Sequence, residues 1–190
     1  MDASLLTTSE LEFGGESHDL EKIKKFDLGV GASLGVQIPA GRESYFSGMP
    51  MEWLKGELEI RTPGQGLHEF TERVQSWLRE NGVQEGLCHL FLQHTSASLL
   101  ISENYDPSAR RDLEEFLRRL APEGQAWHEH DAEGEDDSPA HMRALVTGIS
   151  ESIPVEGGRL ALGTWQGLYL CEHRKRPHRR KVLLRCLKVS

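Results

Sequence analysis

The sequence predicts an α+β fold with a mostly antiparallel sheet, and three observations carry that prediction. The periodic segments run strand, helix, two strands, two helices, three strands, without the βαβ rhythm of a doubly wound sheet. The stretch from Leu87 to Glu103, LCHLFLQHTSASLLISE, reads as a buried strand, a break at His94-Thr95-Ser96 and a second strand. Two helix starts carry the same signature of a capping residue followed by proline, Asp106-Pro107 and Ser138-Pro139.

Taken in order, Trp53 to Arg61 alternates well enough for a strand, and Thr62-Pro63-Gly64 supplies a turn. Leu67 to Arg79 reads as a helix, because Phe70, Val74, Trp77 and Leu78 fall on one face of a 3.6-residue repeat. Asn81-Gly82 ends it, with Gly suited to a left-handed cap. Gly86–Gln93 and Ala97–Glu103 are the two strands around the break. The helix opened by Asp106-Pro107 has an apolar stripe of Ala109, Leu113, Phe116, Leu117 and Leu120, and Pro122 marks its end. Glu123 to Asp137 is a 15-residue loop, long for a compact domain and therefore a place to look for function. The next helix turns Met142, Leu145, Val146 and Ile149 inward. Val155 to Gly158 turns the chain, and Arg159–Leu162, Gly167–Glu172 and Val182–Val189 read as three final strands.

The 190 residues fit one domain of ordinary size plus an extension. Residues 1–48 form the extension: Gly and Ser recur, charge is mixed, and no long apolar face appears beyond a short helical pattern at Asp19 to Lys25. Such a segment is expected to be poorly ordered, because it buries too little apolar surface to offset its ordering entropy. Residues 49–190 form the domain. A net charge of −8 argues against a broad nucleic-acid surface. No apolar run approaches the roughly 18 residues of a membrane-spanning helix. The first residues, MDASLLTTSELEF, lack the basic and apolar regions of a signal peptide. Cys88, Cys171 and Cys186 form no CxxC pair and read as reduced core thiols on strands, which implies a cytoplasmic protein.

The chemistry-bearing residues cluster around the break and the segments after it. Polar groups set against an apolar run must find partners, since a buried unpaired one costs roughly 1–3 kcal/mol. His94, Thr95, Ser96 and Ser98 therefore belong to a hydrogen-bond network or a ligand site. His128, His130 and His141 are candidates to complete a metal site of about three ligands with an open position. Spacing alone leaves metal ligation and ordinary packed or surface histidines both open, because there is no HExxH motif. His89 reads as packing, and His68, His173 and His178 read as exposed. Six carboxylates between Glu129 and Asp137 are either a solvated loop or a hard-cation site. The basic run Arg174 to Lys181, RKRPHRRK, is a solvated loop, a phosphate site or, least in keeping with the net charge, a nucleic-acid contact. Thr164-Trp165-Gln166, between Gly163 and Gly167, is either a ligand-facing corner or a plain hairpin with a core Trp.

HTSASLLISEN (His94 to Asn104), Asp106-Pro107, His130 followed by Pro139-Ala140-His141, and GRLALGTWQGLYLCEH (Gly158 to His173) together resemble the YjbQ-like family. The likeness runs from about Trp53 to Leu187 with the motifs in the same order. Members of that family include enzymes described as secondary thiamine-phosphate synthases. The resemblance implies an α+β fold with three helices and a β-sandwich of about seven mostly antiparallel strands. It also implies a homotrimer around a threefold axis.

The resemblance further implies a divalent metal, zinc or magnesium, held by His94, His130 and His141. Ser96, Glu103, Gln166 and Arg180 are implied as catalytic residues, with Asn104 and Arg179 lining the same pocket. Two stretches depart from the family pattern: EGEDDS, Glu133 to Ser138, precedes the Ala-His pair, and the basic run replaces a short acidic-Gly turn. Arg179 and Arg180 are thus both candidates for the anion-facing residue. The implied substrates are a small-molecule phosphate and diphosphate. A thiazole phosphate joins a hydroxymethylpyrimidine diphosphate and pyrophosphate leaves. Arg180 and the metal would serve the diphosphate, and Ser96 or Gln166 would orient the pyrimidine. A metal-binding trimer without turnover and a metal-assisted phosphohydrolase need the same imidazole and Arg groups.

Overall fold

Residues 50–189 are described by the structure, a computed structural model. The expectation for residues 1–48 lies outside the described residues. Three helices and eight strands follow one another as β1 (Met51–Thr62), β2 (Gly66–Glu69), α1 (Thr71–Glu80), β3 (Glu85–Leu92), β4 (Ala97–Glu103), α2 (Pro107–Leu120), α3 (Asp137–Thr147), β5 (Ser150–Glu156), β6 (Arg159–Leu160), β7 (Gln166–Glu172) and β8 (His178–Val189). They make a five-stranded sheet in the order β1-β8-β3-β5-β6 and a three-stranded sheet in the order β2-β7-β4. Every pairing is antiparallel, as the α+β reading requires.

The small sheet is buried on both faces. Leu99, Leu168 and Leu170 point into the main core, with Leu90, Leu92, Val182 and Leu184 of the large sheet and Val74 and Leu78 of α1. Tyr169 and Cys171, on the opposite face of β7, pack with Leu67 and Leu117 in a second cluster under α2. A strand covered on both sides needs apolar residues at every position, which is why Leu168 to Cys171 does not alternate. All three cysteines are buried and free.

Several elements differ from expectation. The residues before α1 pair with β7 as β2, so the helix begins at Thr71 rather than at Leu67. Leu67 has no place on the helix face because it fills the second cluster. On α2, Asp106 caps as expected, its Oδ1 accepting the Ser108 N–H at 2.7 Å, but Phe116 and Leu120 are exposed. Only a narrow strip of α2, around Leu113 and Leu117, meets the small sheet.

On α3 the expected inward set is turned outward. Leu145 and Val146 are 84% and 59% exposed and Ile149 is also exposed, while Pro139, Ala140, Arg143 and Ala144 are buried. Small residues let the helix approach β4 closely, and Arg143 occupies the buried side because the Leu117 and Ala121 carbonyls at the end of α2 accept its guanidinium. Asp136, not Ser138, is the residue before α3; its carboxylate makes no cap because it is bound elsewhere. Ser150–Glu156, expected only to end in a turn, forms β5 beside β3. The final strand starts at His178, so half of the basic run lies in a sheet.

Gly56, in the middle of β1, is held small by α1. A Cβ there would stand 2.4 Å from Trp77 Nε1 and 2.5 Å from its Cε2. Gly56→Ala is expected to displace the indole and lower stability by about 1–3 kcal/mol, read as a lower urea midpoint at unchanged slope. A variant as stable as the parent would show that the indole is free to move.

Candidate functional site

The break after β3 is a sheet edge completed by a side chain. Gln93 N–H donates to the Lys181 carbonyl at 3.2 Å, continuing the β3–β8 ladder by one residue. The next backbone donor, Lys181 N–H, meets no carbonyl and donates to His94 Nε2 at 2.9 Å. His94 thus works as an acceptor that ends the ladder. Burial, then the positive charge of Arg180, lowers its pKa and keeps the ring neutral.

The acidic and basic runs meet in the interior. Arg174 is buried; its guanidinium reaches Asp136 Oδ2 at 3.2 Å, Glu133 Oε2 at 3.3 Å and the Asp137 carboxylate. Burial pushes the Asp136 carboxyl up, but the Lys175 N–H and the Arg174 guanidinium outweigh it and hold the group below its usual range. The two runs therefore neutralise each other at this point, and neither is simply a solvated loop.

That network presents Asp137 between two imidazoles. Asp137 Oδ2 lies 2.9 Å from His130 Nε2, and its Oδ1 lies 3.5 Å from Nε2 of His141, one helical turn further along α3. One ligand atom from each of the three falls within 4.8 Å of the others. The two rings are tilted at 5.3 Å between centroids, with Asp137 buried and His130 open to solvent. His141 Nδ1 lies 2.9 Å from the Thr95 carbonyl. A carbonyl only accepts, so Nδ1 carries the ring proton, and a neutral ring then aims the Nε2 lone pair at the carboxylate. Arg174 already supplies a counter-charge to the same Oδ1, and the 3.5 Å separation from His141 Nε2 leaves room for a proton or a metal ion to join them. The donor set, two imidazoles and one carboxylate with an open side, fits a zinc-type site, and the Thr95 carbonyl orients one ligand.

The structure brings His130 and His141 together and gives the third place to Asp137. Asp137 and His141 stand at the helical spacing i, i+4, and the carboxylate expected only as part of a solvated loop or a hard-cation site is the one that joins the imidazoles. His94 stays outside the cluster, with its Nε2 occupied by Lys181. It shares with His141 a neighbouring pocket of about 360 Å³ lined by Thr95, Ala144, Leu145, Gly148 and Ile149.

Arg180 is buried and committed to a carboxylate. Its Nε donates to Glu172 Oε2 at 2.7 Å, and one terminal nitrogen reaches Oε1. Glu172 also accepts from Thr62 Oγ1 at 2.8 Å and from Arg174 N–H at 3.0 Å. Burial raises the Glu172 pKa, but Arg180 and the Arg174 N–H more than reverse the effect. Arg180 therefore positions the strand after His94, reaching the Ser96 carbonyl at 3.4 Å, and is not a free cation waiting for phosphate. Arg179 is exposed beside Glu59, at 3.7 Å.

The remaining expected residues gather at the other end of β4. Asn104 Nδ2 donates to the Gln166 carbonyl at 3.3 Å, Gln166 Oε1 accepts Gly163 N–H at 2.7 Å, and Glu103 Oε1 accepts Asp106 N–H at 3.3 Å. Trp165 is no core residue: it is exposed and packs edge-on against exposed Tyr105, with centroids 4.7 Å apart. At about 3.3 Å per residue, the span from Ser96 to Asn104 is roughly 25 Å. One chain therefore does not bring Glu103, Asn104 and Gln166 to the imidazoles. His173, expected exposed, is buried, with Nε2 2.9 Å from Ser98 Oγ.

Comparison with known proteins agrees with this fold. Residues 56–189 match the sequence model of the family described as UPF0047 protein YjbQ-like. The UPF0047 protein sll1880 of Synechocystis sp. is 50% identical over 127 residues, which is 67% of this chain and 86% of that protein. The UPF0047 protein YjbQ of Salmonella typhimurium is 42% identical over 132 residues, 69% of this chain and 95% of the relative. Among solved structures, the hypothetical protein APE1520 from Aeropyrum pernix K1 superposes with a TM-score of 0.65 at 32% identity, covering 71% of this chain and 98% of that one. The family match spans both strands of the break, α3 and the Thr164–Gln166 corner, and on that ground the chain belongs to the YjbQ-like UPF0047 family.

Proposed function

We propose that the protein is a metal-dependent transferase of the thiamine-phosphate synthase type, acting on a small phosphorylated or diphosphorylated substrate at the His130–Asp137–His141 cluster. The observation that carries this reading is the orientation of His141, whose Nδ1 is fixed by the Thr95 carbonyl while Nε2 faces Asp137. Imidazole nitrogens suit zinc better than magnesium, which prefers oxygen ligands. A bound zinc would supply Lewis acidity toward a phosphoryl oxygen.

The chain's own residues would do the rest. Arg174, backed by Asp136, holds the Asp137 carboxylate in place. The pocket beside His141, with Ala144, Leu145 and Ile149 on its walls, offers an apolar surface for a heterocyclic ring. In the transfer, the thiazole nitrogen bonds to the pyrimidine methylene as the carbon–oxygen bond to the diphosphate breaks and pyrophosphate leaves. No strong base is needed, so holding the two partners in line is the main contribution.

The same reading has three copies assembled around an axis. Exposed Leu145, Val146 and Ile149 are surface that a neighbouring copy would cover. A neighbour could also bring its Glu103, Asn104 and Gln166 to the imidazoles, which one chain keeps apart from them.

The test uses purified protein, elemental analysis and light scattering, then both phosphates with added metal. Stoichiometric zinc, a trimer mass and thiamine phosphate above background are expected. His141→Ala should lose metal affinity by about 10–100-fold or more, and product with it. Metal-free parent, or product formation unchanged in His141→Ala, overturns the reading. Inorganic phosphate released from simple esters, without thiamine phosphate, would favour the hydrolase instead.

A further inference from the structure

We infer that Cys88 and Cys186 are a latent disulfide, closed by a small-molecule disulfide oxidant when the end of the large sheet opens. The two residues stand directly opposite each other where β3 pairs with β8. Both side chains lie in the main core without exposed surface, and both are free thiols. Cys171 has no part in such a pairing, because it faces the second cluster under α2.

The ladder makes this pair of the kind that a disulfide can bridge. Gln93 N–H donates to the Lys181 carbonyl on β8, whereas Leu92 N–H donates to the Ile149 carbonyl on the side of β5. Hydrogen bonds along β3 therefore reach β8 from odd positions and β5 from even ones. Cys88 stands at an even position, so it and Cys186 form a non-hydrogen-bonded pair, in which opposed side chains come closest. The Cα atoms of such a pair are about 4.5 Å apart, inside the roughly 4.4–6.8 Å that a disulfide spans.

The closed sheet protects the thiols. Burial, with Cys186 alongside, pushes the Cys88 thiol up to about 12, and burial raises Cys186 as well. The thiolate is the reacting form, so the intact core is inert. Access comes from the end of the sheet. Only the pairs Glu85–Val189, Gly86–Lys188 and Leu87–Leu187 lie beyond Cys88–Cys186, and Val189 is the last residue of β8. Fraying of those pairs and of the start of β1 beside them gives solvent a route to both sulfurs.

In the opened state one cysteine thiolate attacks a sulfur of the oxidant, whose sulfur–sulfur bond breaks to release a thiolate. The second cysteine thiolate attacks the protein sulfur of that mixed disulfide and releases the other. The two cysteines are oxidised, the oxidant is reduced to two thiols, and these take up the two cysteine protons. The new bond closes a loop of about 100 residues. It ties β3, which leads into His94, to β8, which carries Arg180 and Lys181. Neither the metal nor the transferase reading is needed for it.

The test incubates the full reduced chain with oxidised glutathione, alone and in urea below the unfolding transition, and reads intact mass and peptide maps. A Cys88–Cys186 cross-link is expected, two hydrogens lighter than the parent, with one of the three thiols left. It should form several-fold faster in the urea, and the cross-linked chain should have a urea midpoint higher by about 1 M. Cys171→Ala should cross-link like the parent, and Cys186→Ala should not cross-link. Glutathione held on single cysteines without a cross-link, a cross-link through Cys171, or no reaction in the urea overturns the inference. So does a cross-linked chain whose urea midpoint is no higher than that of the reduced one, because the bond then does not fit the fold.

Discussion

Arg180→Met is expected to destabilise the protein by about 3–5 kcal/mol, because it leaves the Glu172 carboxylate buried without its main partner. The Glu172 side chain has no exposed surface and Arg180 only 4%. Thr62 and the Arg174 N–H would remain, but neither carries a compensating charge. The double variant Glu172→Gln with Arg180→Met should recover much of the loss, since it removes the stranded charge. Urea unfolding at neutral pH measures both. A single-variant loss below about 1 kcal/mol, the range of an exposed pair, would refute the account. The variant also separates positioning from ligand contact. If Arg180 acts through Ser96 and the β3–β4 break, restoring stability with added salt or osmolyte should restore binding at the site, which loss of a direct phosphate contact would not allow.

Stability is expected to fall as pH drops from 6.5 toward 4, and His173 is the main reason. Burial, with Arg143 close by, pushes its pKa from 6.5 down to about 4. In that window the unfolded chain binds a proton at this residue and the folded chain does not. The folded state is therefore penalised progressively, and stability is fullest above pH 6.5. The whole window is worth on the order of 3 kcal/mol. His94, lowered by burial and then by Arg180, adds in the same direction. Glu172 and Asp136 are held low, so their contribution begins to be lost as pH falls into the ordinary carboxylate range and adds to the fall only at the acid end of this window. His173→Asn should flatten the pH dependence by about one proton, whatever it does to stability at pH 7. An unchanged slope would mean that the ring protonates in place, with Ser98 turning its hydroxyl to accept.

Much of the fold could be read from local pattern. Asp106-Pro107 announced α2 because a cap and an N-terminal proline act within one turn. The strands flanking His94 stand where hydrophobic runs and hydroxyls placed them. Periodicity misled on α3, where Met142, Leu145 and Val146 make the more apolar stripe. A helix buries whichever side its neighbours can satisfy, and here the end of α2 supplies carbonyls for Arg143. Leu67 likewise fits a helix or a strand by its neighbours in sequence. The vacant edge of β7 decided for the strand.

The candidate site divides in the same way. His130 and His141 were legible as isolated imidazoles, whereas Asp137 looked like one carboxylate among six until Arg174 drew it inside. The sequence by itself determined the fold class, the three helices and most of the strands in their order, the burial of the cysteines and the family, but neither β2 nor β5. Those follow from interactions within a few residues or from motifs retained in order. Tertiary structure alone decided which charges are spent and which are free. Arg174 meets Asp137 across 37 positions and Thr62 meets Glu172 across 110. The partner of a buried charge is fixed by which surfaces pack together, and no spacing along the chain encodes that distance.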